Sequence, residues 1–586
     1  MTALLVLLLS VDLLIVWGGG IFPGAVCVTA AACCATLALI QARRTSDTAT
    51  EDRPWLEIAA LAVLAFVALT ALPLPPLFDP VIGQFRREQN EAVLKALRHA
   101  ASLGLAPDEQ PWFALTRNRA GTLRFFLLAA SVYGAALLAA SLPAAWKTAY
   151  LRFLAVAGAV VALGGHASKW WIPEGDTLWW TFPVPHLLPG PVGCFVNRNH
   201  FGGFIGMLAF PALALLVDAV RVRRWGSAVV YAVLFGVMVY ALAFSLSRGA
   251  LLSFALAGLA LILFFAFRRS LKAAAVSFVA LAAVATAVFW IPNPQLQERL
   301  STLRHPLATA SASDRLSDWR ETLRVIPRYP VIGAGANALR MVYPQHRETA
   351  AGGWLVHAEN QYIELAAEGG LAGVLLALFC AAACARGAWR NRCSTPAVVL
   401  TAASGAAALA ALHALFDFAI LVPACAVVLA SLIGLLLPNP AAGSRRALPL
   451  RLAPALLGLA GAAFLGFQGV EALQRLDAHE RLQTATAAEL RRALVWAPTS
   501  WHAWYYLGRE AFAEAEGGTP QGATLCRAGE AFMTQAAWYD PRNYRLWDQV
   551  GRARLSLGDN PGALKAFERA KELRPWLDIP PIPGRP

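Results

Sequence analysis

The apolar residues of this chain gather into blocks of about twenty, the length that an α-helix needs to cross the core of a bilayer. Hydrophobic residues make up 58% of its 586 residues and charged residues only 15%. Soluble domains average roughly 45–50% and about 25%. The sequence therefore excludes a disordered chain and predicts an all-α, polytopic membrane protein.

Thirteen blocks are long and apolar enough to be counted as membrane spans. The first is kept as a span because it lacks a basic leading region and a small-residue cleavage site, and a second block follows at once. The predicted spans are residues 2–17, 22–40, 55–73, 122–142, 146–164, 199–220, 227–245, 250–267, 272–291, 360–384, 396–416, 421–437 and 452–470.

The basic residues predict which way the spans are threaded. The chain carries a net charge of +14, and this excess lies in alternate short loops that contain 17 of its 50 Lys and Arg residues. Because cytoplasmic loops are enriched in Lys and Arg, these loops are assigned to the cytoplasm. The N-terminus is then cytoplasmic, and the long loops and the C-terminal tail lie on the outer side of the membrane. The charge is thus a topology signal and argues against nucleic acid binding.

Two domains follow from the change of composition near residue 470. Residues 1–470 form the membrane domain, and residues 471–586 form a polar helical tail. Within the tail, Pro541 and Pro575 stand 34 residues apart, and small residues recur before each proline. This spacing resembles tetratricopeptide repeats, with a plain helical hairpin as the alternative. We expect the tail to lean on the membrane domain or on a partner protein, with Trp504, Tyr505, Arg545 and Gln549 on its concave face.

The long loop 292–359 carries eight arginines and no lysine. The planar fork of an arginine suits phosphate oxygens better than the point charge of a lysine does. Residues 313–323 are predicted to form a helix that buries Leu316, Trp319, Leu323 and Ile326. For most of these arginines, including Arg320 and Arg324, a solvated surface helix with salt bridges is the ordinary interpretation.

Three short segments place further polar groups at the predicted outer boundary of the spans. They are Ser247-Arg248-Gly249, Asn197-Arg198-Asn199 and the segment from His357 to Glu368. Each has an ordinary explanation, because Arg248 can snorkel, Asn197 can cap a helix and His357 can be an interfacial histidine. Together they bring Arg, Asn and His to one boundary from separate loops.

These segments resemble the O-antigen ligase and polymerase superfamily of bacterial envelope glycosyltransferases. The shared features are the S-R-G motif, R-x-x-x-W at Arg315, the turn Pro330-Val331-Ile332-Gly333-Ala334-Gly335, and His357 ahead of Glu368 and Gly369. The resemblance covers roughly residues 190–437. The repeat tail is an addition seen in some members.

The resemblance implies a glycan donor on undecaprenyl diphosphate and attack by an acceptor hydroxyl with inversion. It assigns Arg248 and Arg315 to the diphosphate, with Arg198 as a third candidate. His357 is either the base that takes the acceptor proton or a phosphate ligand. Asn197, Asn199, Arg320 and Glu368 are the remaining candidates for substrate contact. No metal and no cofactor is expected, because the outer loops show no D-x-D motif and no histidine cluster.

The motifs do not define the acceptor. A ligase would use lipid A core, a polymerase another lipid-linked glycan, and an oligosaccharyltransferase a protein hydroxyl. The tail weakly favours an acceptor or partner that is held through protein contacts. A scaffold without enzymatic activity, or a lipid or sugar transporter, is the alternative from another functional class.

Overall fold

The protein is described here from a computed structural model. The residues it describes are 54–75, 83–102, 111–171, 177–178, 182–183, 195, 197–290, 310–348, 355–438, 484–516 and 521–583. The predicted spans 2–17, 22–40 and 452–470 lie outside these residues.

Each of the other ten predicted spans coincides with a helix. Six of them are long and apolar enough to cross a membrane by length and composition, and the rest are shorter or less apolar. The ten helices are α1 (Pro54–Ala71), α3 (Arg119–Ala140), α4 (Ala144–Trp171), α5 (Arg198–Arg221), α6 (Trp225–Phe244), α7 (Arg248–Phe267), α8 (Leu271–Trp290), α11 (Gln361–Asn391), α12 (Ala397–His413) and α13 (Pro423–Leu436).

Helix α5 lies at the centre of this bundle. It packs against α4, α6, α7 and α12, and nearly all of its residues are buried. Its neighbours α6 and α7 instead expose rows of large apolar side chains, among them Val229, Val233, Leu259 and Leu263. A bundle that is apolar on its outside as well as in its core is suited to lipid rather than water.

The loops gather at one end of the bundle, called here the site end. They contain α2 (Gln84–Ser102), α9 (Ala310–Leu323) and the short α10 (Leu339–Val342), with 3₁₀ turns at Ile326–Arg328, Tyr343–His346 and Ala419–Leu421. The described strands are two antiparallel pairs of two residues each, β1 (Pro73–Leu74) with β2 (Phe113–Ala114) and β3 (Thr177–Leu178) with β4 (Phe182–Pro183).

The described part of the tail forms five helices, α14 (Ala487–Trp496), α15 (Trp501–Glu516), α16 (Gly522–Tyr539), α17 (Tyr544–Ser556) and α18 (Asn560–Leu573). Glycines let neighbouring helices approach closely. A Cβ at Gly508 would lie 2.9 Å from the carbonyl oxygen of Gly529, and one at Gly551 would lie 2.6 Å from a ring atom of Phe567. The hairpins have the form that the repeat pattern predicts, while their assignment to the tetratricopeptide family stays an interpretation.

The tail packs against the loops of the site end. Val93 of α2 and Phe113 of β2 share a hydrophobic cluster with α14–α17, and the guanidinium of Arg119 lies 4.6 Å above the Trp496 ring. The expected place of Trp504 on the concave face is wrong. Trp504 is buried, and its indole N–H donates to the Pro498 carbonyl at 2.9 Å, because its large ring fills the space between paired helices.

Candidate functional site

Two arginines open membrane helices at the site end. Asn197 caps α5 by accepting a hydrogen bond from the Asn199 N–H at 2.8 Å, and Arg198 is the first residue of the helix. Ser247 caps α7 in the same way, and Arg248 follows it. Both arginine side chains are half-buried and make contacts of their own. The backbone N–H groups of a helix start favour anions, which adds to the charge of the two guanidinium groups.

The turn 330–335 is inserted into a break in α11. Gly370 has φ +59° and interrupts the helix, and the N–H groups of Leu371 and Ala372 donate to the carbonyls of Pro330 and Val331, each at 2.9 Å. Gly333 is equally constrained, with φ +64° and a position where a Cβ would lie 2.0 Å from the Glu368 carbonyl oxygen. The P-x-x-G-x-G and E-G-G segments of the sequence are therefore the two halves of one joint.

The Glu368 side chain stabilises this joint through hydrogen bonds. Its carboxylate accepts hydrogen bonds from the backbone N–H groups of Asn337 at 2.8 Å and Leu339 at 2.9 Å. The side chain is buried. The structure thus places Glu368 against the backbone of residues 337–339. There it holds the loop in position and does not face open space.

His357 lies between a carboxylate and an aromatic ring. Its Nδ1 is 2.6 Å from Oε1 of Glu364, a fully buried residue whose Oε2 accepts from the Ala358 N–H at 2.9 Å. The imidazole stacks on Phe418 with ring centroids 4.0 Å apart. Pinning Nδ1 to a carboxylate leaves Nε2 as the nitrogen that can exchange a proton with a substrate.

Arg315 is joined to the same segment through an ion pair. One of its terminal nitrogens lies 2.5 Å from a carboxylate oxygen of Glu359, two residues after His357. Glu359 has φ +50°, a left-handed conformation that is costly for a residue with a side chain. Arg320, in contrast, is exposed on α9. Arg324 is half-exposed in a surface pair with Glu348 at 2.5 Å, as the ordinary interpretation has it.

The expected burial of this face of α9 is wrong for Leu316 and Leu323. Leu316 and Leu323 are 37% and 49% exposed, whereas Glu321 and Thr322 are buried. The reason is tertiary, because Glu321 accepts hydrogen bonds from the Tyr343 hydroxyl and from the Glu348 N–H. Asp318 also accepts from Tyr343, at 3.1 Å. Burial, with the neighbouring carboxylates, raises the pKa of Asp318 to about 6, against the lowering effect of the Tyr343 hydrogen bond.

A second imidazole–carboxylate group also contacts Phe418, and sequence reasoning missed it. Asp417 is fully buried, 3.4 Å from Nε2 of His200 and 3.1 Å from Nε2 of His413. The His200 ring meets Phe418 edge-on at 4.5 Å. The only sequence signals were the four-residue spacing of His413 and Asp417 and the histidine that directly follows Asn199.

The contacts connect several of the predicted residues into one group. Arg315 pairs with Glu359, His357 stacks on Phe418, and Phe418 meets His200 in the helix that begins at Arg198. His413 lies beside the S-R-G motif, since its Nδ1 is 3.6 Å from the position that a Cβ on Gly249 would take. Asn199 contributes its backbone carbonyl oxygen to this group, 3.3 Å from Nε2 of His413. Arg320 and Glu368 are outside this chain of contacts, and the roles of all these residues stay proposals.

An apolar cavity of about 450 Å³ extends from the site end down the bundle. It lies between α1, α3, α11 and α13, with Gln361 and Ile420 near the site end and Leu56 and Leu437 near the other. Its lining is almost wholly hydrocarbon, which suits an alkyl or isoprenoid chain and not a sugar. In the part of the chain that the structure describes, no group of three or more His, Cys, Asp or Glu side chains is arranged to hold a metal ion.

Residues 233–378 match the family model described as O-antigen ligase. This segment runs from α6 through the S-R-G motif, α9 and the inserted turn to the first half of α11. No curated protein matches the chain. The match, together with the apolar helices, supports a multi-pass membrane protein that acts as a glycosyltransferase or ligase. Over residues 233–378, the chain is thus similar to the O-antigen ligase superfamily.

Proposed function

We propose that the protein moves a glycan from undecaprenyl diphosphate to an acceptor hydroxyl, with inversion at the anomeric carbon and without a metal ion. The observation that carries the proposal is the His357–Glu364 pair on Phe418, at the same end of the bundle as Arg198, Arg248 and Arg315. A proton acceptor and several fixed cations in one place are what this reaction needs.

His357 would take the proton of the acceptor hydroxyl as its oxygen attacks the anomeric carbon. The Glu364 carboxylate, 2.6 Å from Nδ1, then stabilises the imidazolium that forms. Glu364 is fully buried, so this stabilisation acts in a medium that screens charge weakly. The stack on Phe418 fixes the plane of the ring and hence the direction of Nε2.

The bond from the anomeric carbon to the diphosphate oxygen breaks at the same time, and its electron pair stays on that oxygen. Arg198, Arg248 and Arg315 would stabilise this growing charge, which is the task that a metal ion performs in other glycosyltransferases. Arg315 is paired with Glu359 here, so the donor diphosphate would replace that carboxylate. Asn197 and Asn199 would line the same entrance.

The apolar cavity supports a lipid-linked donor. It begins near Gln361 and Ile420, close to Phe418 in the chain, and descends between the helices. A diphosphate held by arginines at the site end would let its isoprenoid tail lie along this hydrocarbon lining. About 0.8 kcal/mol per buried CH₂ is available for such binding.

The acceptor distinguishes a ligase for lipid A core from a polysaccharide polymerase or a protein O-oligosaccharyltransferase. All three use the chemistry given above. The tail packs on the site-end loops and would lie beside any acceptor that approaches there. We propose that the tail contacts the acceptor or a partner protein.

The direct test is a transfer assay with the purified full-length protein, a lipid-linked oligosaccharide and each acceptor class. Transfer to one acceptor, retained in EDTA and lost in His357→Gln, is the expected result, with His99→Gln on the exposed face of α2 as the matched control. Loss of activity in EDTA with rescue by magnesium would contradict the metal-free mechanism. Movement of lipid across vesicles without any glycosyl transfer would instead indicate a transporter.

We further propose that the site end faces the periplasm of a bacterial inner membrane and that the N-terminus is cytoplasmic. Reporter fusions at Arg446 and after Glu480 should then report opposite sides of the membrane. If both fusions report the same side of the membrane, the proposed periplasmic position of the tail is wrong.

A further inference from the structure

The buried carboxylate of Asp417 stands between two histidines that the mechanism above does not use. Both separations, 3.4 Å to His200 and 3.1 Å to His413, are ion-pair distances without well-aligned hydrogen bonds. Burial by itself would raise the pKa of Asp417, but the two imidazoles outweigh it and hold the pKa below its ordinary value. A buried ionised carboxylate needs a positive partner, because leaving it uncompensated is strongly destabilising.

The surroundings of His413 show which imidazole supplies the positive charge. Its Nε2 faces two acceptors, the Asp417 carboxylate and the Asn199 carbonyl at 3.3 Å, so Nε2 carries the hydrogen. Its Nδ1 is buried and has no hydrogen-bond partner among the described residues. A proton there would create a buried N–H without an acceptor, which is unfavourable. We therefore assign the compensating proton to His200.

His200 is a close neighbour of the proposed site. It is the third residue of α5, two after Arg198, and its ring contacts Phe418, on which His357 stacks. Its side chain is 9% exposed, against 17% for that of His357, so both imidazoles are largely buried but not fully enclosed. The two imidazole–carboxylate pairs thus contact one aromatic ring.

We propose that His200, kept protonated by Asp417, is a further catalytic residue that donates a charge-assisted hydrogen bond to the leaving lipid diphosphate. This inference rests on the proposed function. No proton needs to be transferred from His200, because the acceptor proton goes to His357 and the bond electrons go to the diphosphate oxygen. The hydrogen bond strengthens as that oxygen gains charge, so it favours the transition state over the bound donor.

The proposal predicts a pH dependence of diphosphate binding that belongs to His200. The titratable and charged groups on the elements packed around it are Asp417, His413, His357, Glu364, Glu359, Arg315, Arg198 and Arg248. The arginines keep their charge over the range tested, and Asp417 stays ionised. The experiment therefore needs to distinguish only the contributions of the imidazoles to the pH dependence.

The experiment measures binding of farnesyl diphosphate, a short lipid diphosphate, to the purified full-length protein between pH 5.5 and 8.5. Binding should tighten as the pH falls, since the protonated imidazole becomes more populated. His200→Gln should weaken binding at low pH by about tenfold to a hundredfold and remove the pH dependence. His357→Gln should keep that dependence, and His99→Gln is the matched control on an exposed surface.

Asp417→Asn provides a second variant in case His200→Gln fails to fold. Without the carboxylate, the positive charge on His200 loses its partner, so binding should fall near neutrality and recover on acidification. A purely structural loss would not recover.

Three results would contradict the proposal in different ways. If His357→Gln removes the pH dependence and His200→Gln keeps it, His357 is the phosphate ligand and the proposal for His200 is wrong. If all variants bind like wild type, neither imidazole touches the diphosphate. If the wild-type protein binds no farnesyl diphosphate at any pH, the lipid-diphosphate donor of the proposed function is itself contradicted.

Discussion

Arg347 and Asp540 form an ion pair at 2.7 Å that joins the large loop of the membrane domain to the helical tail. Both side chains are buried, at 9% and 2% exposure. Burial raises the pKa of Asp540 even with the arginine beside it. A pair of this kind adds little to stability when intact but is costly to break on one side only.

Arg347→Ala should therefore loosen the tail. The uncompensated carboxylate of Asp540 is expected to cost about 3–5 kcal/mol of docking free energy, measured by hydrogen exchange in α16 and α17. Replacing both partners by apolar residues should recover most of the loss. Arg569→Ala is the control, because its pair with Glu572 is solvent-exposed and worth about 0–1 kcal/mol.

Deletion of the chain after Leu476 should leave glycosyl transfer to a small acceptor measurable but reduce coupling to the natural acceptor in cells. The structure adds an expected loss of stability, because the deletion exposes Val93 and Phe113 and leaves Arg347 without Asp540. Thermal unfolding of the purified truncated protein measures this loss. A folded truncation with no chemistry at all would mean that the tail completes the active site.

Gly333→Ala should be among the most damaging single changes in the loop. Its left-handed φ and the 2.0 Å approach to the Glu368 carbonyl leave no room for a methyl group, so the turn must withdraw from α11. We expect roughly 2–5 kcal/mol of destabilisation from strain and overpacking. Gly236→Ala is the control, since nothing lies within 4 Å of a Cβ there. Equal melting temperatures for the two variants would contradict the joint between turn and helix.

Asp318→Asn should stabilise the loop at neutral pH and not at acid pH. The pKa of Asp318 is about 6 in the folded protein against an ordinary 3.8, so the folded state holds its proton to higher pH than the unfolded state does. Its ionisation therefore costs stability as the pH rises through this window. The melting temperatures of variant and wild type should differ at pH 7.5 and converge at pH 4. A difference that is independent of pH would show that the Asp318 charge is not its cause.

Arg248→Lys and Arg315→Lys should both reduce turnover by about tenfold to a hundredfold while the protein remains inserted. Lysine keeps the charge but loses the two-pronged contact with phosphate. Arg324→Lys, in a surface pair with Glu348, should stay close to wild type. If all three lysine variants behave alike in the transfer assay, Arg248 and Arg315 are only surface positive charges.

The sequence by itself determined the membrane helices, because twenty-residue apolar blocks have no other stable use in a bilayer. It also indicated the positions of the cap at Asn197 and of the two glycine segments, since local backbone chemistry selects those residues. Only the tertiary structure decided what lies opposite them. Gly333 and Gly370 meet because the loop folds back into α11, and Glu321 is buried because Tyr343 arrives from elsewhere in the chain.

In the candidate site too, some residues could be predicted from the sequence and others only from the tertiary structure. His357 and the arginines stood out because their residue types and spacing carry chemistry within short segments. His200 and Asp417 lie far apart in the chain, and their pairing around Phe418 follows from the packing of α5 against α12 and the 414–418 link. A local pattern reports periodicity and backbone preference. Which charges share a buried space is set by long-range packing, because the energy of a buried charge depends on the neighbours that the fold brings to it.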